Sequence, residues 1–173
     1  MIKRTIGAGI LAGLVLFAIF QAVNKEEAPA SVTASKIPSG IEAGQLAPTI
    51  KLKNLAGTEV NLGDLKGKKV MLNFWATWCP PCKAEMPAME QFYKKYSDEV
   101  EILAVNLDPQ NDVAGFVNEY GLTFPILLDQ GGETQHTYSI LSIPTTLIID
   151  EEGIIQKKHI GSMTYEQMVE ISK

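Results

Sequence analysis

The nine residues Phe74-Trp75-Ala76-Thr77-Trp78-Cys79-Pro80-Pro81-Cys82 constrain this chain more than any other stretch. They overlap the end of Lys69 to Trp75, a compact and mostly apolar run of the kind a buried central strand needs. They lead into Pro80 to Tyr96, where Met86, Met89, Phe92, Tyr93 and Tyr96 recur at spacings of three and four and mark one face of a helix. A strand that hands over to a helix here sets two sulfurs in the first helical turn, within bonding distance of each other. Cys79 then meets unpaired backbone N–H groups and the positive end of the helix dipole, both of which favour a thiolate. A thiol that ordinarily titrates near 8.5 falls to about 3.5–7.5 in such a setting. Attack is therefore assigned to Cys79, expected to be the exposed member. Cys82, one turn in, is expected to be partly covered and to resolve the mixed disulfide formed with a partner. Pro80 and Pro81 fix φ in the turn, and their missing N–H groups cost little where helical donors are unpaired anyway.

Cys79 and Cys82 are the only cysteines, and a bond between them closes a loop too small to add much stability. The pair therefore has a chemical purpose. Zinc is set aside, because a site needs four ligands and His136 and His159 are spaced too widely for the usual signature; both read as surface residues. Covalent haem needs a histidine directly after the second cysteine, and Lys83 stands there. No metal and no cofactor is expected beyond the redox-active disulfide Cys79–Cys82. Nucleic acid is set aside as a partner, since 15 basic against 20 acidic residues leave a charge of -5.

Ahead of this core, Thr5 to Asn24 carries no charge, and Ile6 to Val23 is almost wholly apolar. Such a run meets the roughly 17–25 residues a bilayer crossing takes. Lys3 and Arg4 precede it and no net positive charge follows, so the N-terminus is expected in the cytoplasm and the rest of the chain outside the cell membrane. Residues 1–25 read as a single-pass anchor; the alternative is a secretory signal cleaved near Ala28-Pro29-Ala30. Residues 26–45, rich in Ala, Pro, Ser, Thr and Gly, read as a flexible tether, and 46–173 as one folded domain.

Within that domain Thr49 to Lys53 and Glu59 to Leu62 form an expected N-terminal hairpin. Further strands are expected at Glu101 to Leu107, Pro125 to Leu128, Thr145 to Ile149 and Ile154 to Ile160, the last two an antiparallel pair. Helices are expected at Asp112 to Tyr120, closed by Gly121, at Glu133 to Ile140 and at Thr164 to Ser172. Alternating strands and helices with a closing hairpin predict a three-layer α/β fold around a central sheet.

W-C-P-P-C after an apolar strand, with Ile143-Pro144-Thr145-Thr146 downstream, resembles the thioredoxin superfamily. The anchor, the run Cys79 to Pro87 and the extra segment from Asn106 to Asp129 resemble its ResA/TlpA-like branch of extracytoplasmic thiol-disulfide oxidoreductases. The resemblance implies a thioredoxin-like mixed sheet with an extra central βα insertion. It implies that Pro144 is the cis-proline beside the dithiol, where Ile143 could pair with an extended substrate by strand addition; the alternative is an ordinary strand-entry proline. Trp78 and Pro81 belong to the same substrate face. Asn73 departs from cytoplasmic thioredoxins, which carry a proton-relaying aspartate there. Glu85, three residues after Cys82, is the candidate replacement and tunes the cysteines; the alternative is a solvated helix carboxylate.

The expected function is reduction of disulfides in exported proteins, with apocytochrome c or spore-envelope proteins as substrates, in the context of cytochrome c maturation. A membrane thiol-electron transporter of the CcdA type is the expected donor. Alternatives are an extracytoplasmic dithiol oxidase or isomerase, a thiol peroxidase and a non-catalytic binding module. Peroxiredoxins place a threonine three residues before the reactive cysteine, whereas Thr77 is two before Cys79.

Overall fold

The computed structural model describes residues 37–173. The expected anchor at 1–25 and most of the expected tether lie outside the described residues. Among the described residues no helix is long and apolar enough to cross a membrane.

The elements run β1 (Lys51–Asn54), β2 (Glu59–Asn61), a 3-10 helix (Leu62–Leu65), β3 (Lys69–Trp75), α1 (Pro80–Tyr96), β4 (Val100–Asn106) and α2 (Val113–Tyr120). Then follow β5 (Ile126–Leu128), α3 (Glu133–Thr137), β6 (Thr145–Ile149), β7 (Ile155–Ile160) and α4 (Tyr165–Ile171). The strands form one mixed seven-stranded sheet in the order β2-β1-β5-β4-β3-β6-β7. β3, β4 and β5 are mutually parallel, while β1–β2, β1–β5, β3–β6 and β6–β7 pair antiparallel. The thioredoxin-like three-layer fold, with its N-terminal hairpin and the inserted α2–β5 unit, is the one expected.

Period-two alternation in the central strands sorts the core into two layers. Met71, Trp75, Ile102, Ala104 and Ile148 face a cluster completed by Met86, Met89 and Phe92 of α1, Val113 and Phe116 of α2, and Met168 of α4. Val70, Leu72, Phe74, Leu103, Val105, Leu147 and Ile149 face the other side, closed by Leu62, Tyr138 and Ile140. Both faces of β3 and β4 are thus covered, which explains why those strands read as nearly unbroken apolar runs.

Several boundaries differ from expectation, and three of the differences have a visible cause. The second hairpin strand stops at Asn61, whose side chain accepts from the Gly63 N–H at 2.9 Å and caps the 3-10 turn. Helix α3 stops at Thr137 instead of Ile140, because Ser139 takes a positive φ of 47° that breaks the helical path. Residues 38–45, expected as the end of a flexible tether, are tied to the domain. Leu46 N–H donates to the Pro38 carbonyl at 3.0 Å, Gly44 N–H to Ile155 at 2.8 Å, and Ala47 N–H to Gly153 at 2.9 Å. Composition does not reveal this, because Ile155 and Gly153 lie more than a hundred residues downstream, beyond any local pattern.

The parallel strands end on one edge of the sheet, and the β3–α1 junction carrying Cys79 lies there. This is where open α/β sheets present their chemistry.

Candidate active site

Cys79 is the N-cap of α1, and its Sγ accepts from the Cys82 N–H at 3.2 Å. The two cysteines are joined in a disulfide, with their Cα atoms 5.3 Å apart. Pro80 and Pro81 fill the first turn and are exposed, so the chain offers no idle N–H there. The expectation that Cys79 is the exposed member is corrected: Cys79 is 2% exposed and Cys82 fully buried. Its neighbours explain this, since both sulfurs belong to the same apolar cluster as Trp75, Met86 and Met89, and the Ile143 carbonyl lies 3.8 Å from Cys79 Sγ.

The Ile143–Pro144 peptide bond is cis. Ile143 lies against Cys79 although the two are 64 residues apart in sequence. Pro144 itself is buried, Ile143 is half-buried, and Trp78 stands 64% exposed beside Cys79. The structure therefore gathers Trp78, Pro81, Ile143 and Pro144 around the disulfide. Trp75, by contrast, is fully buried and packs on the Phe116 ring at 4.8 Å.

Behind the disulfide, Glu85 is 1% exposed, so it is no solvated helix carboxylate. It lies one turn along α1 from Cys82. Its Oε1 accepts from the Met163 N–H at 3.2 Å, while among the described residues Oε2 has no hydrogen-bond partner. Burial pushes its carboxyl up to about 7, against weaker opposing help from the Met163 N–H and the Asn73 side chain. Asn73 is fully buried on the same side of the sheet and donates from Nδ2 to Thr146 Oγ1 at 2.9 Å, and its Oδ1 has no partner among the described residues. Asn73 and Thr146 are direct partners in the β3–β6 register.

One positioning group escaped the sequence reading. Asp108, just past the end of β4, is 2% exposed, and its carboxylate accepts from the Thr77 N–H at 3.0 Å and from the Thr77 hydroxyl. It also accepts from Asn106 Nδ2 at 2.6 Å and Asn111 Nδ2 at 2.9 Å. Burial alone raises an acid's pKa; here the Thr77 hydroxyl, the Asn111 amide, the Thr77 N–H and the Asn106 amide outweigh it and hold Asp108 below the usual carboxylate range. Thr77 sits inside the turn closed by the Cys79 N–H on the Ala76 carbonyl at 3.3 Å, so Asp108 fixes the turn that delivers the sulfur to α1. A signal existed: Asn106-x-Asp108-x-x-Asn111 lies directly beyond a parallel strand that neighbours β3.

His136 is exposed and His159 half-exposed. Among the described residues no group of His, Cys, Asp and Glu is arranged to hold a metal ion.

The sequence profile of the AhpC/TSA family matches residues 43–158. The chain belongs to that family. It is 49% identical over 140 residues to the thioredoxin-like protein YneN of Bacillus subtilis, covering 79% of this chain and 82% of that one. It is 39% identical over 177 residues to the thiol-disulfide oxidoreductase ResA of Bacillus cereus, covering 100% of this chain and 95% of that one. The crystal structure of StoA from Bacillus subtilis superposes with a TM-score of 0.65 at 39% identity, covering 73% of this chain and 97% of that one. With Cys79 and Cys82 joined in a disulfide, this family member is a thiol-disulfide oxidoreductase of the ResA/StoA type.

Proposed function

We propose that this oxidoreductase reduces disulfides in exported proteins. The reading is carried by one observation: a disulfide whose N-terminal sulfur caps a helix, touches the Ile143–Pro144 corner and is flanked by the exposed Trp78 and Pro81. In the reduced enzyme the Cys79 thiolate attacks one sulfur of the substrate disulfide. A mixed disulfide forms, and the substrate's other sulfur leaves as a thiolate. Cys82 then loses its proton and attacks Cys79 Sγ, which re-forms Cys79–Cys82 and releases the second substrate thiolate. Glu85, buried and one turn from Cys82, is the group suited to take that proton. Two electrons and two protons thus pass to the substrate, and a thiol donor must return the enzyme to its dithiol state.

The buried carboxyl also supports the reducing direction. A thiolate forming near an ionised Glu85 is disfavoured by like charge, and a reduced pair that is poorly stabilised gives up its electrons readily. Apocytochrome c and spore-envelope proteins are the proposed substrates, and a membrane thiol transporter of the CcdA type the proposed donor. The uncharged run Thr5 to Asn24 supports placement on the cell membrane with the catalytic domain outside, the tether joining the two. The peroxidase alternative finds no support in Thr77, whose hydroxyl is committed to Asp108.

Replacing Cys82 with Ser should trap Cys79 in mixed disulfides with exported proteins, and capture of no covalent partner would overturn the enzyme's proposed role. Equilibration with glutathione tests the direction. A potential near the oxidising extreme, about -120 mV, would replace reductase with oxidase.

A further inference from the structure

Among the described residues, two of the three buried side-chain atoms left without a hydrogen-bond partner are acceptors, Asn73 Oδ1 and Glu85 Oε2. The third, Trp75 Nε1, is a donor on a ring packed against Phe116. Asn73 lies between Met71 and Trp75 on β3, and Thr146 two residues before Ile148 on β6; Met71, Trp75 and Ile148 all face the layer behind the disulfide. Alternation along the strands turns Asn73 and Thr146 to that same layer, where α1 buries Glu85 with Cys82 and Met86. The Asn73 side chain bears directly on the Glu85 carboxyl, as the Met163 N–H does. Two neighbouring acceptors with no donor between them are costly to bury. One proton removes the conflict: as a carboxylic acid, Glu85 donates from Oε2 to Asn73 Oδ1, while Asn73 Nδ2 keeps its bond to Thr146 Oγ1. Ionised Glu85 needs the opposite, a donor. A half-turn of the Asn73 amide supplies it, with Nδ2 donating to the carboxylate and Oδ1 accepting from the Thr146 hydroxyl. Thr146 suits both states, because a hydroxyl donates as well as accepts and its register pairing with Asn73 keeps it in reach.

We propose that Asn73 and Thr146 form an amide switch, a positioning pair that turns a donor to Glu85 when it is ionised and an acceptor when it is protonated. The inference rests on the reading that Glu85 takes the Cys82 proton, and adds the group that accommodates the change. The proton stays on Glu85 Oε2; the amide exchanges only its hydrogen-bonding ends, and no bond in it is made or broken. A carboxylate or an apolar group in place of the amide serves one state or neither, leaving a buried polar atom unpaired in each turnover. Among the described residues no charged group acts on the Glu85 carboxyl. Met71 and Trp75 of β3, Ile148 of β6 and Met168 of α4 carry no charge, and Cys79 and Cys82 do not titrate while joined. The titratable groups bordering the cluster are Tyr93, Tyr96, Tyr120 and Tyr165, all half-buried.

NMR of the oxidised full chain, isotope-labelled at asparagine amides and glutamate carboxyls, tests the switch from about pH 5 to 9, either side of the Glu85 midpoint. The Asn73 amide signals should move with the Glu85 carboxyl and share its midpoint. Cross-relaxation from the amide protons to the Thr146 methyl, strong in acid, should give way in base to cross-relaxation to the Glu85 methylene next to the carboxyl. Through-bond experiments assign both side chains in the wild type, so misfolding of a variant does not blur this arm. In Glu85→Gln the Asn73 signals should stay still, since that side chain has no proton to lose. An amide that is static while Glu85 titrates overturns the switch, as does an amide that still titrates in Glu85→Gln. A static amide cross-relaxing with a bound water assigns the mismatch to that water and overturns the switch as well. The reaction is read with a nitrophenyl disulfide, which releases one coloured thiolate when Cys79 attacks and a second when Cys82 resolves. Asn73→Leu should move the pH midpoint of the second release up by about one pH unit, because the donor lost from the carboxylate is worth about twice the acceptor lost from the acid. An unmoved midpoint overturns the positioning role. A second release whose pH dependence survives Glu85→Gln instead rejects the reading that Glu85 takes the proton, and with it the part of the switch in the reaction, whatever the amide does.

Discussion

Replacing Glu85 with Gln should remove a pH dependence of stability that the buried carboxyl imposes. In the folded protein its pKa is raised from the ordinary 4.5 to about 7, chiefly by burial. A folded-state pKa above the unfolded one means the native protein binds this proton more tightly. The resulting stabilisation is complete below about pH 4.5, declines as pH rises, and is gone once pH passes about 7. At about 1.4 kcal/mol per pH unit, the change across that window is about 3 kcal/mol. Glu85 is 1% exposed, so solvent does not dilute the effect much. Glutamine matches the shape, keeps a carbonyl to accept from the Met163 N–H, and brings an amide donor to the unpaired Asn73 Oδ1. It has no proton to lose. Urea unfolding of the oxidised wild type and Glu85→Gln, at several values from pH 4.5 to 8, reads the difference directly. The disulfide keeps both cysteines from titrating, and every other group cancels between the two proteins. The wild type should lose about 3 kcal/mol relative to the variant between the ends of the series. Curves that stay parallel within about 1 kcal/mol would refute the argument, because the carboxyl would then titrate in the fold as it does in water.

Other perturbations test the supports of the site. Asp108→Ala strands the Thr77 N–H and the Asn106 and Asn111 amides; it should cost about 2–3 kcal/mol in urea unfolding and slow alkylation of reduced Cys79. Because Asp108 is held below the usual carboxylate range, its stabilisation is present at neutral pH and lost as pH falls through its folded pKa, so the gap between wild type and variant should narrow in acid. Thr164→Ala removes the capping box with Gln167 at the start of α4 and should destabilise by about 1 kcal/mol, measured by thermal unfolding. Gly121→Ala, at a φ of 61° with open space around it, should cost about 1 kcal/mol through backbone strain alone, and Gly121→Asn less, by the same measurement.

Much of the fold is written in short-range pattern. The apolar runs of β3, β4 and β6 and the three-and-four spacing in α1 give the elements, because a side chain's facing repeats with its own element. Gly121 and Asp112 mark the limits of α2 in the same local way. Met71, Met86, Met89, Met163 and Met168 look scattered along the chain, yet all are buried in the one cluster that backs the disulfide. Period shows that a methionine faces inward but not which neighbours it meets.

The same division runs through the site. Sequence by itself determined the dithiol, its place at the first turn of a helix and hence the class of chemistry, since these depend on bonds and hydrogen bonds within a few residues. Tertiary structure decided that Cys79 is covered, that Glu85 is buried under a Met163 N–H 78 residues away, and that Asp108 holds Thr77 across 31 residues. Those relations follow from sheet order and strand register, which arise from the packing of whole elements against one another, and no local run of residues encodes them.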